Sequence, residues 1–180
     1  SEYDFTNSNV VIDYNWAPSE KLQLKPSFNY QRATYSDSEY VNENLGLLNG
    51  EGSINSYAFS LRGEVKPVES LRIIAAIRAD RFNAPDKSFV SYQFAATQSL
   101  LENNLLLRAA HSKSYAGSFI GHVHVDVTLT NQIPTIPPTT LVNSYSGNSN
   151  LNLTSITNTE VGIRSKITDN LNLDITAFHQ

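Results

Sequence analysis

The sequence predicts an all-β fold of antiparallel, up-and-down strands from a transmembrane β-barrel, and three observations predict it. Apolar and polar residues alternate with a period of two through most of the chain, as in strands with one apolar and one wet face. The alternating segments are about ten to twelve residues long, close to the roughly 9–11 that a tilted strand needs to cross a bilayer. Short turns also alternate with longer connections along the chain, as in outer-membrane barrels.

The composition agrees with this class and argues against several others. The chain has 180 residues, of which 40% are hydrophobic and 17% are charged, and its net charge is -4. The longest apolar run, Ile73–Ile77, is far shorter than the roughly 18 residues of a transmembrane helix. Cysteine is absent, which removes disulfides and cysteine metal sites, and the lack of a basic cluster argues against a nucleic-acid partner.

Four strands of about ten residues are expected in the first half of the chain. Pro18 and Pro67 each supply a fixed φ to a short turn, at residues 17–21 and 67–70. A polar, glycine-bearing loop is expected at residues 36–55. The four strands are Asn9–Trp16, Leu22–Tyr35, Ser56–Lys66 and Leu71–Phe82.

Four further strands are expected in the second half, after a modest loop at residues 83–87. Short turns are predicted at Leu101–Asn104 and at Asp169-Asn170, and the longest connection of the chain at residues 116–156. Every short turn is followed by a leucine that opens an alternating strand. The four strands are Ser88–Ser99, Leu105–Tyr115, Thr157–Thr168 and Leu171 to the end of the chain.

The alternation sorts side chains onto an apolar face and a charged face. In the third predicted strand, Tyr57, Phe59 and Leu61 share one face, and Arg62 and Glu64 share the other. Aromatic residues near strand ends resemble an interfacial girdle, and charges of both signs on the second face suit a solvated interior, so we expect the apolar face to meet lipid. The predicted ion pairs join Arg62, Arg78, Arg108 and Arg164 to Glu64, Asp80 and Glu160.

The long connection carries the only candidate site residues. If the segment is extended, His122, His124 and Asp126 lie on one face and are weak candidates for metal ligands, whereas a solvent-facing loop explains them more simply. No cofactor is predicted. His122, His124 and Tyr145 are the candidates for contact with a ligand. His111 and Ser112 are adjacent in a strand and point to opposite faces, so they do not form a catalytic pair and no enzyme is predicted.

Four segments of the second half together resemble the barrel of TonB-dependent outer-membrane receptors. Asn104–Phe119 is similar to the family's Leu-x-Arg-Ala-Ser strand and the loop after it. Gly147–Leu151 is similar to its Gly-Asn-Pro-x-Leu segment. Thr159–Arg164 and Leu171–Phe178 are similar to the two strands that follow, in the same order and with the same spacing.

The resemblance implies that residues 1–180 are a partial barrel domain, about eight strands of a larger 22-stranded barrel, without the plug domain. It implies active uptake of a scarce solute of the siderophore, cobalamin or glycan type in the bacterial outer membrane. The implied partners are membrane lipid, the small solute, and TonB acting through a plug domain outside this chain.

Two other folds fit the same alternation. A complete small eight-stranded outer-membrane barrel, of the adhesin or structural type, requires the first and last strands to pair. A soluble β-barrel or sandwich that binds a ligand requires the apolar faces to converge into one dry core.

Overall fold

The computed structural model describes residues 3–39, 47–48, 50–117, 120–134 and 137–180. These residues form eleven strands and one short helix. The strands are β1 Asp4–Asp13, β2 Trp16–Ser19, β3 Leu22–Ser36, β4 Glu51–Val68, β5 Leu71–Phe82, β6 Ser88–Leu100, β7 Leu105–Tyr115, β8 Asp126–Ile133, β9 Thr139–Ser146, β10 Ser155–Thr168 and β11 Leu171–His179, and the helix is α1 Ile120–His124.

The main sheet is an antiparallel meander with the strand order β1-β3-β4-β5-β6-β7-β10-β11, and β2 also pairs with β3. This arrangement confirms the predicted up-and-down topology. Within the described residues, β1 and β11 lie at opposite ends of the order and do not pair, whereas the closed eight-stranded alternative requires that they pair.

The first predicted strand is wrong in its bounds, because Asn9–Trp16 is divided between β1 and β2. The register on β3 continues from Asp13, opposite Ser27, to Trp16, opposite Leu24, and then shifts between Trp16 and Ser19. The break lies opposite Pro26, which has no N–H to donate to the ladder. The carbonyl of Pro26 still accepts a hydrogen bond from the Tyr14 N–H at 3.1 Å, so the chain stays beside β3.

The four short turns lie together at one end of the sheet, which we call the turn end. They are residues 20–21, 69–70, 101–104 and 169–170. The opposite, loop end carries the connections at residues 37–50, 83–87 and 116–154. The predicted segregation of connection lengths is confirmed, although Pro67 and Val68 belong to β4 and not to the turn, and β4 begins at Glu51. Residues 40–46 and 49 of the predicted 36–55 loop lie outside the described residues.

The long connection contains structure that the sequence did not predict. Helix α1 is followed by a separate two-stranded hairpin, β8–β9, in which Val127 pairs with Tyr145 and Leu129 with Asn143. Residues 134–138, which are rich in proline and threonine, join these two strands, and residues 135–136 lie outside the described part of the chain.

The strand registers give the main sheet one apolar and one polar face. Side chains of the apolar face are widely exposed, with Phe59 at 65% and Ile77 at 53%. The buried apolar side chains cluster instead at the loop end, where Tyr35, Ile54, Ile120 and Val123 pack with Leu48, Ala84 and Phe82. The apolar faces of these strands therefore do not converge into the single dry core that a soluble barrel requires. In the described part of the chain, no helix is long and apolar enough to span a membrane.

The β6–β7 turn is the basis of a first prediction. Leu101, Glu102 and Asn103 have φ values of 50°, 54° and 71°, a conformation that costs non-glycine residues roughly 1–2 kcal/mol each. We expect Glu102→Gly to raise the free energy of unfolding of the full-length protein by about 0.5–1 kcal/mol, because glycine adopts this φ without strain. Urea unfolding in detergent measures the change.

The matched control is Glu69→Gly in the β4–β5 turn, where φ is not positive. There glycine only adds freedom to the unfolded chain, so no gain is expected. Equal effects of the two substitutions would contradict the explanation by strain.

Candidate functional site

The polar face carries a buried carboxylate between two guanidinium groups. Glu64 on β4 accepts two hydrogen bonds of 2.7 Å from Arg72 on β5. Arg62 donates a third at 3.1 Å, so Arg62 and Glu64, which were both expected to take part in ion pairs, pair with each other. Because the Glu64 side chain is only 8% exposed, its charge depends on these donors for compensation.

A second ion-pair network joins β7, β10 and β11. Arg108 contacts Glu160 at 3.2 Å and Asp174 at 3.2 Å, and Arg164 contacts Asp174 at 2.7 Å. Arg108 thus pairs with Glu160, and Arg78 pairs with Asp80 at 2.8 Å, which confirms the expected ion pairing between these arginines and these carboxylates. The partner of Arg164 is Asp174 of β11, which was not among the predicted carboxylates.

Gly162 makes the path of Arg108 possible. It is the register partner of Arg108 on β10, and the Arg108 side chain crosses directly over it. A Cβ at Gly162 would lie 2.5 Å from Nε, 2.9 Å from Cγ and 3.0 Å from Cζ of Arg108. The absence of a side chain at this position therefore lets the guanidinium cross β10 towards Asp174 and Thr176 on β11.

Asp37 fastens the connection after β3 to the loop end. Its carboxylate is buried at 1% exposure and accepts hydrogen bonds from the N–H groups of Leu47 (2.6 Å), Leu48 (2.8 Å) and Gly50 (2.6 Å). The Tyr35 hydroxyl donates a further bond at 3.3 Å. Gly50 has φ +153°, and its carbonyl accepts a bond from the Asp37 N–H, so the two residues are joined twice.

Two opposing effects act on the pKa of Asp37. Burial favours the neutral acid and raises the pKa, but the backbone N–H donors of Leu48, Gly50 and Leu47 stabilise the charged form. The hydrogen bonds outweigh burial and hold the pKa of this carboxyl group below its ordinary value of 3.8. Asp37 is therefore an anionic anchor at neutral pH.

An open, largely apolar pocket of about 710 Å³ lies at the loop end. His122 of α1 and Tyr145 of β9, both predicted ligand contacts, line it together. His124 is not among its lining residues, and its Nε2 lies 3.3 Å from the carbonyl oxygen of Ser53. The other lining residues are Leu47, Gly121, Val125, Val127 and Leu151.

The metal hypothesis for His122, His124 and Asp126 assumed that this segment is extended, and that assumption is wrong. His122 and His124 belong to helix α1, where residues two apart point about 200° away from each other. Ile120 and Val123 are spaced three apart and are both buried, which explains why a helix forms here. Among the described residues, no group of three His, Cys, Asp or Glu side chains could hold a metal ion.

Comparison with known proteins identifies the family. The model of the family described as "TonB dependent receptor-like, beta-barrel" matches residues 1–180. The chain belongs to this family. No curated protein sequence matches the chain.

Solved structures support the same fold at low sequence identity. The siderophore receptor PirA from Acinetobacter baumannii superposes with a TM-score of 0.71 at 15% identity over 98% of this chain and 26% of that one. PirA from Pseudomonas aeruginosa gives 0.75 at 14% identity, over 98% and 32%. The RagAB peptide transporter gives 0.63 at 13%, over 98% and 23%. The chain thus spans between about a quarter and a third of the length of these receptors, in agreement with the predicted partial barrel.

The crossing at Gly162 gives a second prediction. Gly162→Ala forces Arg108 away from its present path, and we expect a loss of roughly 1–3 kcal/mol in the unfolding free energy of the full-length receptor, because Glu160 and Asp174 lose hydrogen bonds to a charged donor. Urea unfolding measures it. Gly63→Ala is the control, since a Cβ there would meet Leu24 Cδ2 at 3.4 Å and the Ala75 carbonyl oxygen at 3.9 Å, both ordinary contacts. A loss at Gly63 as large as at Gly162 would contradict the role given to Arg108.

Asp37 gives a third prediction. Since the folded pKa is lowered, its stabilisation is complete above the ordinary value of 3.8 and is lost as the pH falls below it, through the folded pKa. Asp37→Asn removes the negative charge at neutral pH, as acid does in the native protein. We expect it to lower the free energy of opening of residues 47–50 by about 1–3 kcal/mol. Hydrogen exchange at the Leu47, Leu48 and Gly50 amides measures this opening. The exposed neighbour Glu39 provides the control as Glu39→Gln, and equal protection in Asp37→Asn and the native protein would exclude the anchor.

Proposed function

We propose that this chain is the wall and part of the outer loops of a receptor that takes up a scarce small solute across the outer membrane of a Gram-negative bacterium. The observation that carries the proposal is the match of the family model to residues 1–180. The superposed structures add siderophore receptors and a peptide transporter as examples of what related barrels do. A siderophore, cobalamin, a glycan or a peptide is thus a candidate solute.

In this proposal the apolar face meets lipid and the polar face lines the barrel interior. Strands β4, β5 and β6 have 18, 12 and 13 residues, enough to cross the hydrocarbon core at a tilt, for which roughly 9–11 are needed. The turn end then lies on the periplasmic side and the loop end outside the cell. The Glu64 and Arg108 networks place their charges in the interior, where water or a plug domain compensates them.

The loop-end pocket is the proposed point of contact with the solute. Its volume of about 710 Å³ falls within the range of roughly 300–1,000 Å³ usual for small-molecule sites. Tyr145 offers a ring that is 56% exposed, and His122 adds an imidazole to the lining. Energy for release into the periplasm would come from TonB through a plug domain outside this chain.

No catalytic step is part of the proposal. His111 and Ser112 follow one another on β7, where His111 is the partner of Thr159 and Ser112 of Asn158. Their side chains therefore lie on opposite faces of the sheet and do not act on one substrate.

The proposal is tested by uptake into cells that express the full-length receptor. We expect one of the radiolabelled candidate solutes to accumulate only when TonB is present. Tyr145→Ala should then weaken binding of that solute at least about fivefold, because an aromatic contact is worth on the order of 1 kcal/mol or more. Filter binding to isolated outer membranes measures the affinity.

Thr130→Ala is the matched control, because Thr130 lies on the opposite face of the same hairpin, across from Val142. Uptake that continues without TonB would overturn the proposed transport. TonB-dependent uptake with unchanged affinity in Tyr145→Ala would leave transport intact and exclude this pocket as the contact.

A further inference from the structure

A single lysine on β7 stands out on the apolar face of the sheet. Lys113 pairs with Tyr92 on β6 and with Thr157 on β10, and Tyr92 in turn pairs with Ile77 on β5. Because neighbours in register share a face, Lys113 lies on the same side as Ile77. Along β7, Leu107, Ala109 and His111 have the same parity as Lys113, and the His111 ring lies within hydrogen-bond distance of the Tyr92 and Thr159 hydroxyl groups.

Lys113 is near the loop end of its strand, two residues before Tyr115. Its Nζ lies 5.4 Å from the centre of the Tyr115 ring, within the range of a cation–π contact. Ser155 is the partner of Tyr115, and both Ser155 and Thr157 are exposed. One ammonium group and three hydroxyl-bearing residues thus occupy neighbouring positions on one face.

The carboxylates of these strands are all on the other face. Strands β5, β6, β7, β10 and β11 are described in full, and their acidic residues are Asp80, Glu160 and Asp174. Each of the three pairs with an arginine of the polar face. Among the described residues, Lys113 has no salt bridge. Arg81, a second cation on the apolar face, is paired with Asp86 of the adjoining loop.

The energetics of a charge on a lipid-facing strand decide what surrounds Lys113. A lysine on this face is strongly destabilising at the bilayer midplane and costs little near the interfaces. Lysine side chains reach from apolar surroundings towards the headgroup layer, and the contact with Tyr115 directs this one towards the loop end. At that depth the anions available to an unpaired ammonium group are lipid phosphates.

We propose that Lys113, with the hydroxyl groups of Tyr115, Thr157 and Ser155, binds the phosphate of an anionic lipid headgroup in the outer leaflet. The inference rests on the proposed membrane orientation of the receptor. The ammonium group supplies the charge, the hydroxyl groups donate hydrogen bonds to the phosphate oxygens, and Ile77, Leu107 and Ala109 pack against the acyl chains. The carboxylates on the polar face leave this surface with positive charge only.

The experiment uses the full-length receptor, recovered from outer membranes and titrated in detergent with phosphatidylglycerol or phosphatidylcholine. Native mass spectrometry resolves the complex with one bound lipid. We expect phosphatidylglycerol to bind more tightly than phosphatidylcholine, and Lys113→Gln to raise its Kd about fivefold, the worth of one lysine near an anionic surface. A photoactivatable group on the headgroup should label β7 or β10 near the loop end in the native protein and lose that labelling in Lys113→Gln.

Lys87→Gln is the matched control, because it removes the same charge from the loop end at a site where Nζ already bonds Asn152 Oδ1 at 2.6 Å. Its Kd and labelling should equal those of the native protein. Equal affinity for the two lipids, or an unchanged Kd in Lys113→Gln, would overturn the lipid site and leave the receptor assignment standing. Displacement of the lipid by millimolar inorganic phosphate would identify a site for free phosphate instead. Absence of the protein from the outer-membrane fraction would overturn both proposals.

Discussion

Strand register is the constraint on which the rest of this structure depends. Successive residues of a strand point to opposite faces, so a shift of one residue in any pairing would exchange the two faces of that strand. The ladders from β3 to β7 keep one register over most of their length, with Phe28, Phe59 and Ala79 in line on the apolar face. That alignment puts Glu64 beside Arg62 and Arg72 and keeps their charges off the apolar surface.

Asp37 and Glu64 are the two most buried carboxylates of the described residues, and each has a buried charge that different donors stabilise. Glu64 lies between strands and is neutralised by guanidinium groups, which suits a wall where every backbone N–H belongs to the ladder. Asp37 lies where the ladder has ended, and it takes the N–H groups that a connection leaves free. The first arrangement stiffens the sheet, and the second shapes the loop end.

The sequence predicts the wall well and the loop end poorly, for a physical reason. Seven of the eight predicted strands, the four short turns and the ion pairing of Arg62, Arg78 and Arg108 with Glu64, Asp80 and Glu160 follow from alternation and turn residues, which are local properties. The His-Val-His-Val-Asp segment also alternates, yet its residues 122–124 belong to α1, because Ile120 and Val123 are buried against residues as distant as Tyr35 and Ile54. Residues whose importance depends on a distant partner, such as Gly162 under Arg108 and Asp37 beside Gly50, have no local signal beyond a glycine in a strand and an aspartate at a strand end.

The charges of the sheet are distributed in a way that links the wall to its surroundings. In β5, β6, β7, β10 and β11, every carboxylate lies on the polar face, and each is held by an arginine there. The apolar face is left with Arg81, which the Asp86 carboxylate neutralises, and with Lys113, which lies near the Tyr115 ring and has no salt bridge in the described part of the chain. A protein-internal partner for Lys113 would need a carboxylate on a lipid-facing strand position, which carries a desolvation cost of its own. In the proposed lipid site, an anion supplied by the membrane avoids that cost.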